Sequence, residues 1–371
     1  MPRPTARLGR LPRPRLPLRT AIFAVVLDRF GRSSIVDLDE SGIVLSRQWA
    51  APARWPHTWV TGGVSGRVSI REEPFTARDG AERTVRIYSP VYAPGPLPIV
   101  AFFHGGGYVL GNTRMYDPLC SFLAKSIPAV VVSVDYRQAP EYRAPKAAED
   151  CLDGLRWAHE HAATFRGDPT RIAVCGDSAG GGLATLVCHA AYDSGGPAIA
   201  HQALLYPCTD ATQSFPSAAE NGAAPVLSAE KIRVFTDHYL GDAVDPADPR
   251  VSAYWRKDLR GLPPALIQTA DLDPLRDEGL AYAERLVEAG VPVRATNYLR
   301  TVHGFMSFPG ATTIGEQARY ELLSELRSHL SPTPLAQMVP VDADAMAEGD
   351  AADAGDAIQE AGTPTGSALT H

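Results

Sequence analysis

The chain has 371 residues, a formal net charge of −7 at pH 7 and 45% hydrophobic residues. This length and composition suit one large globular catalytic domain or two small ones. The negative net charge argues against a nucleic-acid-binding surface. The five cysteines form no C-x-x-C pair, which excludes the common zinc and redox spacings and offers no disulfide framework. We therefore expect no metal site and no nucleic-acid partner.

The two ends of the chain differ in charge from its middle. Residues 1–20 are rich in proline and hold six arginines and no acid, so we expect a disordered basic start. Residues 331–371 hold seven acids, no Lys or Arg and no periodicity, and we expect a disordered acidic tail. No apolar run reaches the ~20 residues of a membrane span, and no cleavage pattern follows Ala21–Leu27. We expect a cytoplasmic protein without stable membrane insertion, although the arginines leave peripheral binding to an anionic membrane surface open.

The spacing of apolar residues predicts an N-terminal arm followed by a large sheet. Residues 21–65 predict one or two helices, which form either a packed N-terminal arm or part of a cap over a pocket; the residues alone leave both open. Residues 66–330 predict one catalytic domain, opening with an antiparallel hairpin. Six short apolar runs separated by helix-length segments follow it: Ile99–Phe103, Ala129–Asp135, Arg171–Cys175, His201–Tyr206, Ala265–Thr269 and Val293–Tyr298. Alternation of this kind predicts an α/β fold, with a mostly parallel eight-stranded sheet and helices on both faces.

One interval interrupts the alternation. Residues 210–261 contain no predicted strand and one predicted helix, near Ser228–Tyr239. An insertion here lies above the carboxyl edge of the sheet, where ligands of such folds bind. We therefore interpret this interval as a helical cap.

The pentapeptide Gly176-Asp177-Ser178-Ala179-Gly180 follows a predicted strand and precedes a helix pattern. This is the strand–turn–helix context of a G-x-S-x-G nucleophile elbow. The flanking glycines let the chain turn tightly and present the serine hydroxyl at the end of the strand. We predict Ser178 as a nucleophile, and we interpret Asp177 as a residue that caps or charges the start of the following helix.

A glycine-rich loop, His104-Gly105-Gly106-Gly107, follows the first of the six apolar runs. Consecutive glycines leave backbone N–H groups uncovered and let a bound group approach closely. In lipases and esterases, an HGGG loop supplies one half of the oxyanion hole, and the N–H after the nucleophile supplies the other half. That second donor is the N–H of Ala179.

A serine nucleophile of this kind needs a base and an acid, and both should follow it in the chain. In folds with this elbow the order is Ser first, then Asp or Glu, then His. His303 stands in a loop directly after a predicted strand, where a base can reach the elbow. Four carboxylates compete for the role of the acid. Asp277 and Glu278 resemble first-turn helix residues. Asp271 and Asp273 share one turn, and the residues alone leave both open, with Asp273 favoured by the following proline.

These motifs together resemble those of the hormone-sensitive-lipase-like serine esterases, bacterial family IV, of the α/β-hydrolase fold. The resemblance covers residues 82–329 and rests on four segments: His104–Gly107, Gly176–Gly181, Asp273–Gly279 and His303–Phe305. It implies a triad of Ser178, Asp273 and His303. It also implies oxyanion donors on the N–H groups of Gly106, Gly107 and Ala179.

The resemblance implies a carboxylesterase that hydrolyses short- to medium-chain acyl esters through an acyl-enzyme, with a small-molecule ester substrate and no cofactor. An amidase, deacetylase or lactonase could use the same triad. A binding module on a dead hydrolase fold would lack a triad residue. The arm and the tail lie outside the shared core, so the resemblance does not fix the size of the substrate. The sequence also leaves open whether the protein forms a homodimer.

Overall fold

The computed structural model describes residues 16–30, 34–50 and 52–331. The predicted disordered ends, residues 1–20 and 331–371, lie almost entirely outside these residues. A helix begins at Leu18, so the last residues of the basic segment belong to that helix.

The sheet has eight strands. They are β1 (Val68–Thr76), β2 (Glu82–Pro90), β3 (Leu97–Phe103), β4 (Val130–Asp135), β5 (Gly167–Asp177), β6 (His201–Leu205), β7 (Ala265–Leu272) and β8 (Val293–Val302). Their order across the sheet is β1-β2-β4-β3-β5-β6-β7-β8. β2 is antiparallel to both β1 and β4, and every other pair is parallel. The predicted mostly parallel eight-stranded sheet is confirmed.

Ten α-helices occur in the described part of the chain. They are α1 (Leu18–Phe30), α2 (Glu40–Arg47), α3 (His57–Thr61), α4 (Asp117–Ser126), α5 (Lys146–Glu160), α6 (Ala179–Asp193), α7 (Pro216–Glu220), α8 (Ala229–Leu240), α9 (Arg276–Glu288) and α10 (Gly315–Leu330). None of these described helices has an apolar stretch long enough to cross a membrane.

Side chains of the central strands alternate between two apolar layers, as the period of two in a strand requires. In β3, Ile99, Ala101 and Phe103 pack with α5, α6 and α9 on one face. Val100 and Phe102 pack with α4 and α10 on the other face. Because both faces are covered, all seven residues of β3 are buried, which is why its sequence is a continuous apolar run.

The topology brings four loops to one edge of the sheet. The glycine-rich loop follows β3, Ser178 follows β5, Asp273 follows β7, and His303 follows β8. Because these strands are parallel, their carboxyl ends lie side by side, which is where open α/β sheets place their ligands.

Candidate active site

Ser178 occupies a sharp turn between β5 and α6. Its backbone has φ 55° and ψ −122°, a conformation that few residues other than glycine adopt. The turn is held by hydrogen bonds from Ser178 N to the Leu205 carbonyl (2.8 Å) and from Cys208 N to the Ser178 carbonyl (3.0 Å). A Cβ at Gly180 would lie 2.0 Å from the Phe103 carbonyl oxygen, so only glycine permits this close packing of helix on strand.

Three side chains form a continuous hydrogen-bonded series at this edge. His303 Nε2 lies 2.8 Å from Ser178 Oγ, and His303 Nδ1 lies 2.7 Å from Asp273 Oδ2. Asp273 is fully buried, and its other oxygen accepts a hydrogen bond from Leu275 N at 2.9 Å. Two hydrogen bonds therefore fix the orientation of the carboxylate, which in turn fixes the imidazole against the serine hydroxyl.

Asp271, the other aspartate in this turn, faces a different neighbour. Its Oδ1 accepts a hydrogen bond from Thr301 N at 2.9 Å, and its side chain is buried. This bond ties the end of β7 to the end of β8, two residues before His303. Asp271 thus supports the loop that carries the imidazole, and it is Asp273 that contacts the ring.

Asp277 and Glu278 lie in the first turn of α9, as their sequence context predicts. Their contacts are with the cap segment. Asp277 accepts a hydrogen bond from Ser217 N at 2.9 Å. Glu278 is buried and accepts from the backbone N–H groups of Thr209 (2.7 Å) and Asp210 (3.1 Å). Burial raises the pKa of the Glu278 carboxyl well above its usual range. Nothing in the sequence distinguished this buried role.

The glycine-rich loop presents two unengaged backbone donors. The N–H groups of Gly106 and Gly107 have no hydrogen-bond acceptor among the described residues. Gly106 has φ 126°, and a Cβ there would lie 2.0 Å from the Leu110 carbonyl oxygen. Ala179 is the first residue of α6, so its N–H belongs to the unpaired donors of a helix start. Ala179 directly follows the serine in the chain. Gly106 and Gly107 follow β3, which lies next to β5, the strand that leads to the serine.

Asp177 joins the two halves of this donor set. Its Oδ1 accepts from Gly105 N at 2.8 Å, and its Oδ2 accepts from the Tyr116 hydroxyl at 3.0 Å. The prediction that Asp177 caps α6 is wrong, because its carboxylate accepts from the glycine-rich loop and from Tyr116 instead. That Asp177 charges the start of the helix stays a prediction. Burial raises the pKa of Asp177 to about 6, although both hydrogen bonds favour the charged form. The sequence carried no sign of Tyr116.

His104, at the start of the same loop, has a structural environment. It is fully buried, its Nδ1 lies 2.8 Å from the Gly105 carbonyl oxygen, and its ring stacks on Tyr136 at 4.4 Å. The Tyr136 hydroxyl donates to the His104 carbonyl at 2.7 Å. Burial lowers the pKa of His104, so the ring is a neutral support for the turn.

The cap contacts the glycine-rich loop directly. A Cβ at Gly107 would lie 2.3 Å from Phe235 Cγ, so the ring of this α8 residue lies against the glycine backbone. Phe235 also packs beside the buried cap residues Leu227 and Ile232 and beside Leu275, which precedes α9. The absence of a side chain at Gly107 therefore lets the cap pack directly against the glycine-rich loop.

Two arginines fasten the N-terminal arm to the same region. Arg47 donates to the Val109 carbonyl at 2.8 Å and forms a two-bond ion pair with Glu141 at 2.7 and 2.8 Å. Buried Arg319 donates to the carbonyls of Met306 (2.8 Å) and Thr61 (3.4 Å). The arm thus packs beside the end of the glycine-rich loop, at Val109, and is linked through Arg319 to the loop that carries His303.

Metal-ligating groups come together elsewhere. In the described part of the chain, His201, Glu325 and His329 place one ligand atom each within 4.8 Å of the others. The two rings are stacked, with centroids 4.1 Å apart and planes inclined by 19°. Ring nitrogens bind metals in the plane of the ring, so stacked rings do not direct their lone pairs at one point. This cluster therefore lacks the arrangement of a metal centre.

The comparison with known proteins agrees with this geometry. A family model described as alpha/beta hydrolase fold matches residues 100–307. Carboxylesterase NlhH of Mycobacterium tuberculosis is 42% identical over 264 residues, which are 70% of this chain and 82% of the relative. The ethyl acetate hydrolase of Pseudomonas putida is 35% identical over 266 residues, which are 70% of this chain and 83% of the relative.

Among solved structures, an ester hydrolase from the metagenome of Lake Arreo is similar, with a TM-score of 0.75 and 34% identity. The similarity covers 85% of this chain and 99% of that protein, which was solved with a derivative of bipyridine phosphonate. The motifs, the topology and these relatives agree. The chain belongs to the hormone-sensitive-lipase-like family of α/β-hydrolase esterases.

Proposed function

We propose that this protein is a carboxylesterase that hydrolyses short- to medium-chain acyl esters through a serine acyl-enzyme. The observation that carries the proposal is the unbroken series from Ser178 Oγ to His303 Nε2 (2.8 Å) and from His303 Nδ1 to Asp273 Oδ2 (2.7 Å). Such a series activates a hydroxyl that is otherwise a weak nucleophile.

In the acylation step, Ser178 Oγ attacks the ester carbonyl carbon while its proton moves to His303 Nε2. Asp273 accepts the Nδ1–H of the ring, which keeps Nε2 free as the acceptor and stabilises the imidazolium that forms. The imidazolium then gives the proton to the leaving alcohol oxygen as the ester C–O bond breaks. The acyl group remains on Ser178.

Deacylation repeats these steps with water. His303 removes a proton from water as its oxygen attacks the acyl carbon, and the same proton returns to Ser178 Oγ when the carboxylic acid leaves. In both steps negative charge develops on the carbonyl oxygen. The N–H groups of Gly106, Gly107 and Ala179 are suited to stabilise it, and one such donor typically contributes ~3 kcal/mol to lowering the barrier.

The cap supports a preference for modest acyl chains. The Phe235 ring lies against Gly107, and the apolar cluster around Leu227 and Ile232 stands behind it. A bulky ring beside the reacting carbonyl limits the length of acyl chain that can extend under the cap. The relative that is named an ethyl acetate hydrolase supports the same preference.

The test is a series of p-nitrophenyl esters from acetate to palmitate, with matched p-nitroanilides. We expect turnover of acetate to octanoate esters, slow turnover of palmitate, and loss of activity in Ser178→Ala and His303→Ala. His329→Ala is the matched control, because this half-buried histidine lies at the end of α10 away from the serine. Full activity in Ser178→Ala, or faster turnover of anilides than of esters, contradicts the proposal.

A further inference from the structure

Helix α1 carries apolar residues on two opposite faces. One face packs inward, with Thr20 and Ala24 buried. The other face exposes four aliphatic residues at the spacing of a single helical stripe: Leu18 (77% exposed), Ile22 (56%), Val25 (57%) and Val26 (48%). An exposed aliphatic stripe of this kind is typical of a surface that contacts a partner. We name these four residues the outer stripe.

The sequence beside the outer stripe is strongly basic. Residues 1–19 contain six arginines and no acid, which gives them a net charge of +6. Since the whole chain carries −7, the other 352 residues together carry −13. The last of these arginines, Arg19, lies on α1 with its guanidinium 5.0 Å from the ring centre of Trp59, which is itself half exposed. Aliphatic, tryptophan and arginine side chains therefore share one surface.

We propose that the outer stripe and the basic segment dock the enzyme on an anionic lipid bilayer, with α1 lying in the membrane interface. An interfacial helix buries its aliphatic face among the acyl chains, while tryptophan rings and arginine side chains take up the headgroup level. The charge distribution favours anionic lipid, because the basic segment is attracted to such a surface while the rest of the chain carries net negative charge.

The docking surface is next to the loop that carries His303. Phe23 of α1 contacts Phe308 with ring centres 4.9 Å apart, and the Thr20 hydroxyl donates to the Ala311 carbonyl at 3.5 Å. These partners follow His303 by only five to eight residues. Docking through α1 thus holds the catalytic edge close to the bilayer, where apolar esters dissolve. This benefit to substrate capture rests on the proposed function, whereas the binding itself does not.

The test is co-sedimentation of the full chain, as Ser178→Ala, with vesicles of phosphatidylcholine alone or with about a third phosphatidylglycerol. We expect binding to the anionic vesicles that is at least about tenfold tighter than binding to the neutral ones and is weakened by ~0.5 M NaCl. Using the serine variant keeps hydrolysis out of the measurement, so failure to bind and failure of the proposed catalysis are read separately.

Two sets of variants locate the surface. Ile22→Glu with Val25→Glu should lower vesicle binding at least about tenfold. The matched control is Leu299→Glu with Tyr320→Glu, which alters two somewhat more exposed hydrophobic residues outside the arm (68% and 62% exposed) and should bind as the parent does. Replacing Arg3, Arg7, Arg10 and Arg13 by Gln should remove the preference for anionic lipid. The thermal midpoint of each variant reports that the fold is retained.

The proposal is overturned if the parent chain ignores anionic vesicles, if the control pair loses binding as much as the arm pair, or if binding is insensitive to salt. A second copy of the chain is the competing occupant of the outer stripe. If the parent is a dimer that Ile22→Glu with Val25→Glu dissociates, and neither form binds vesicles, the stripe is a dimer interface and the membrane proposal is wrong.

Discussion

The pair Asp271→Asn and Asp273→Asn offers the sharpest test of the site. Both aspartates are buried, lie two residues apart, and change by the same one-atom substitution. In Asp273→Asn, the amide oxygen keeps the hydrogen bond from Leu275 N at 2.9 Å, so the amide NH2 takes the place of the oxygen that lies 2.7 Å from His303 Nδ1. An NH2 group is a donor and cannot accept the Nδ1–H of the ring. The ring then favours the tautomer with its proton on Nε2, which cannot accept the serine proton.

The expected loss for Asp273→Asn is about 10⁴-fold in kcat, as for the isosteric change in other serine triads. That ratio corresponds to about 5.4 kcal/mol of transition-state stabilisation. In Asp271→Asn, the amide oxygen can still accept from Thr301 N, so the His303 loop keeps its position and kcat should fall less than about tenfold.

The measurement is kcat and KM for p-nitrophenyl butyrate, with thermal unfolding to show that both variants are folded. KM should change little in either variant, since both carboxylates are buried and hydrogen-bonded within the protein. If Asp271→Asn loses as much kcat as Asp273→Asn while both remain folded, the assignment of the acid is wrong.

Three further substitutions test the surrounding contacts. Gly107→Ala should lower kcat about 10²-fold, because its Cβ would overlap the Phe235 ring. Adding Phe235→Ala should raise kcat again by about tenfold. If kcat does not recover in the double variant, the contact between Gly107 and Phe235 is contradicted. Asp177→Asn keeps an acceptor for Gly105 N and should retain kcat within about tenfold. Asp177→Ala has no such acceptor and should lose about 10²-fold in kcat. Equal losses in the two variants would refute the role of Asp177 as a link to the glycine-rich loop. The folded chain keeps the Glu278 proton above its ordinary pKa of 4.5, where the unfolded chain releases it. Stability relative to Glu278→Gln should therefore fall by up to about 1.4 kcal/mol per pH unit between that value and the raised pKa of the folded state. A difference in urea unfolding that does not vary with pH contradicts the buried neutral carboxyl.

The fold and the positions of the four motifs were accessible from the sequence for one physical reason. Buried parallel strands are continuous apolar runs, and their carboxyl ends must meet at one edge. A serine after β5 and a histidine after β8 are therefore brought together by topology alone. The helix pattern predicted after the nucleophile corresponds to α6, which begins at Ala179, because the elbow defines its start sharply.

The choice between Asp271 and Asp273 was not accessible in the same way. The apolar run in this region ends at Thr269, but β7 continues to Leu272. Asp271 is therefore still a strand residue whose side chain turns to β8, and Asp273 is the first carboxylate beyond the strand end. A strand extension through polar residues depends on the neighbouring strand, which a local pattern does not contain.

Contacts between distant segments were missed for a related reason. Asp177 and Glu278 both precede or begin a helix, so local pattern predicts a role at the helix start. Their actual partners, Gly105 and Thr209, lie about 70 residues away in the chain. Burial overrides the local preference in both cases, since a buried carboxyl must find hydrogen-bond donors wherever the fold places them.

The hydrogen bond from Gly105 N to Asp177 Oδ1 also bears on how the enzyme can move. It joins the glycine-rich loop directly to the residue before the nucleophile, although 72 residues separate Gly105 and Asp177 in sequence. Opening and closing of the cap, which in enzymes occurs over microseconds to milliseconds, can then change access to the serine without changing the distance between nucleophile and donors. Substrate entry and bond-making geometry are thereby controlled by separate parts of the chain, and residues of the cap can vary while the reaction centre stays the same.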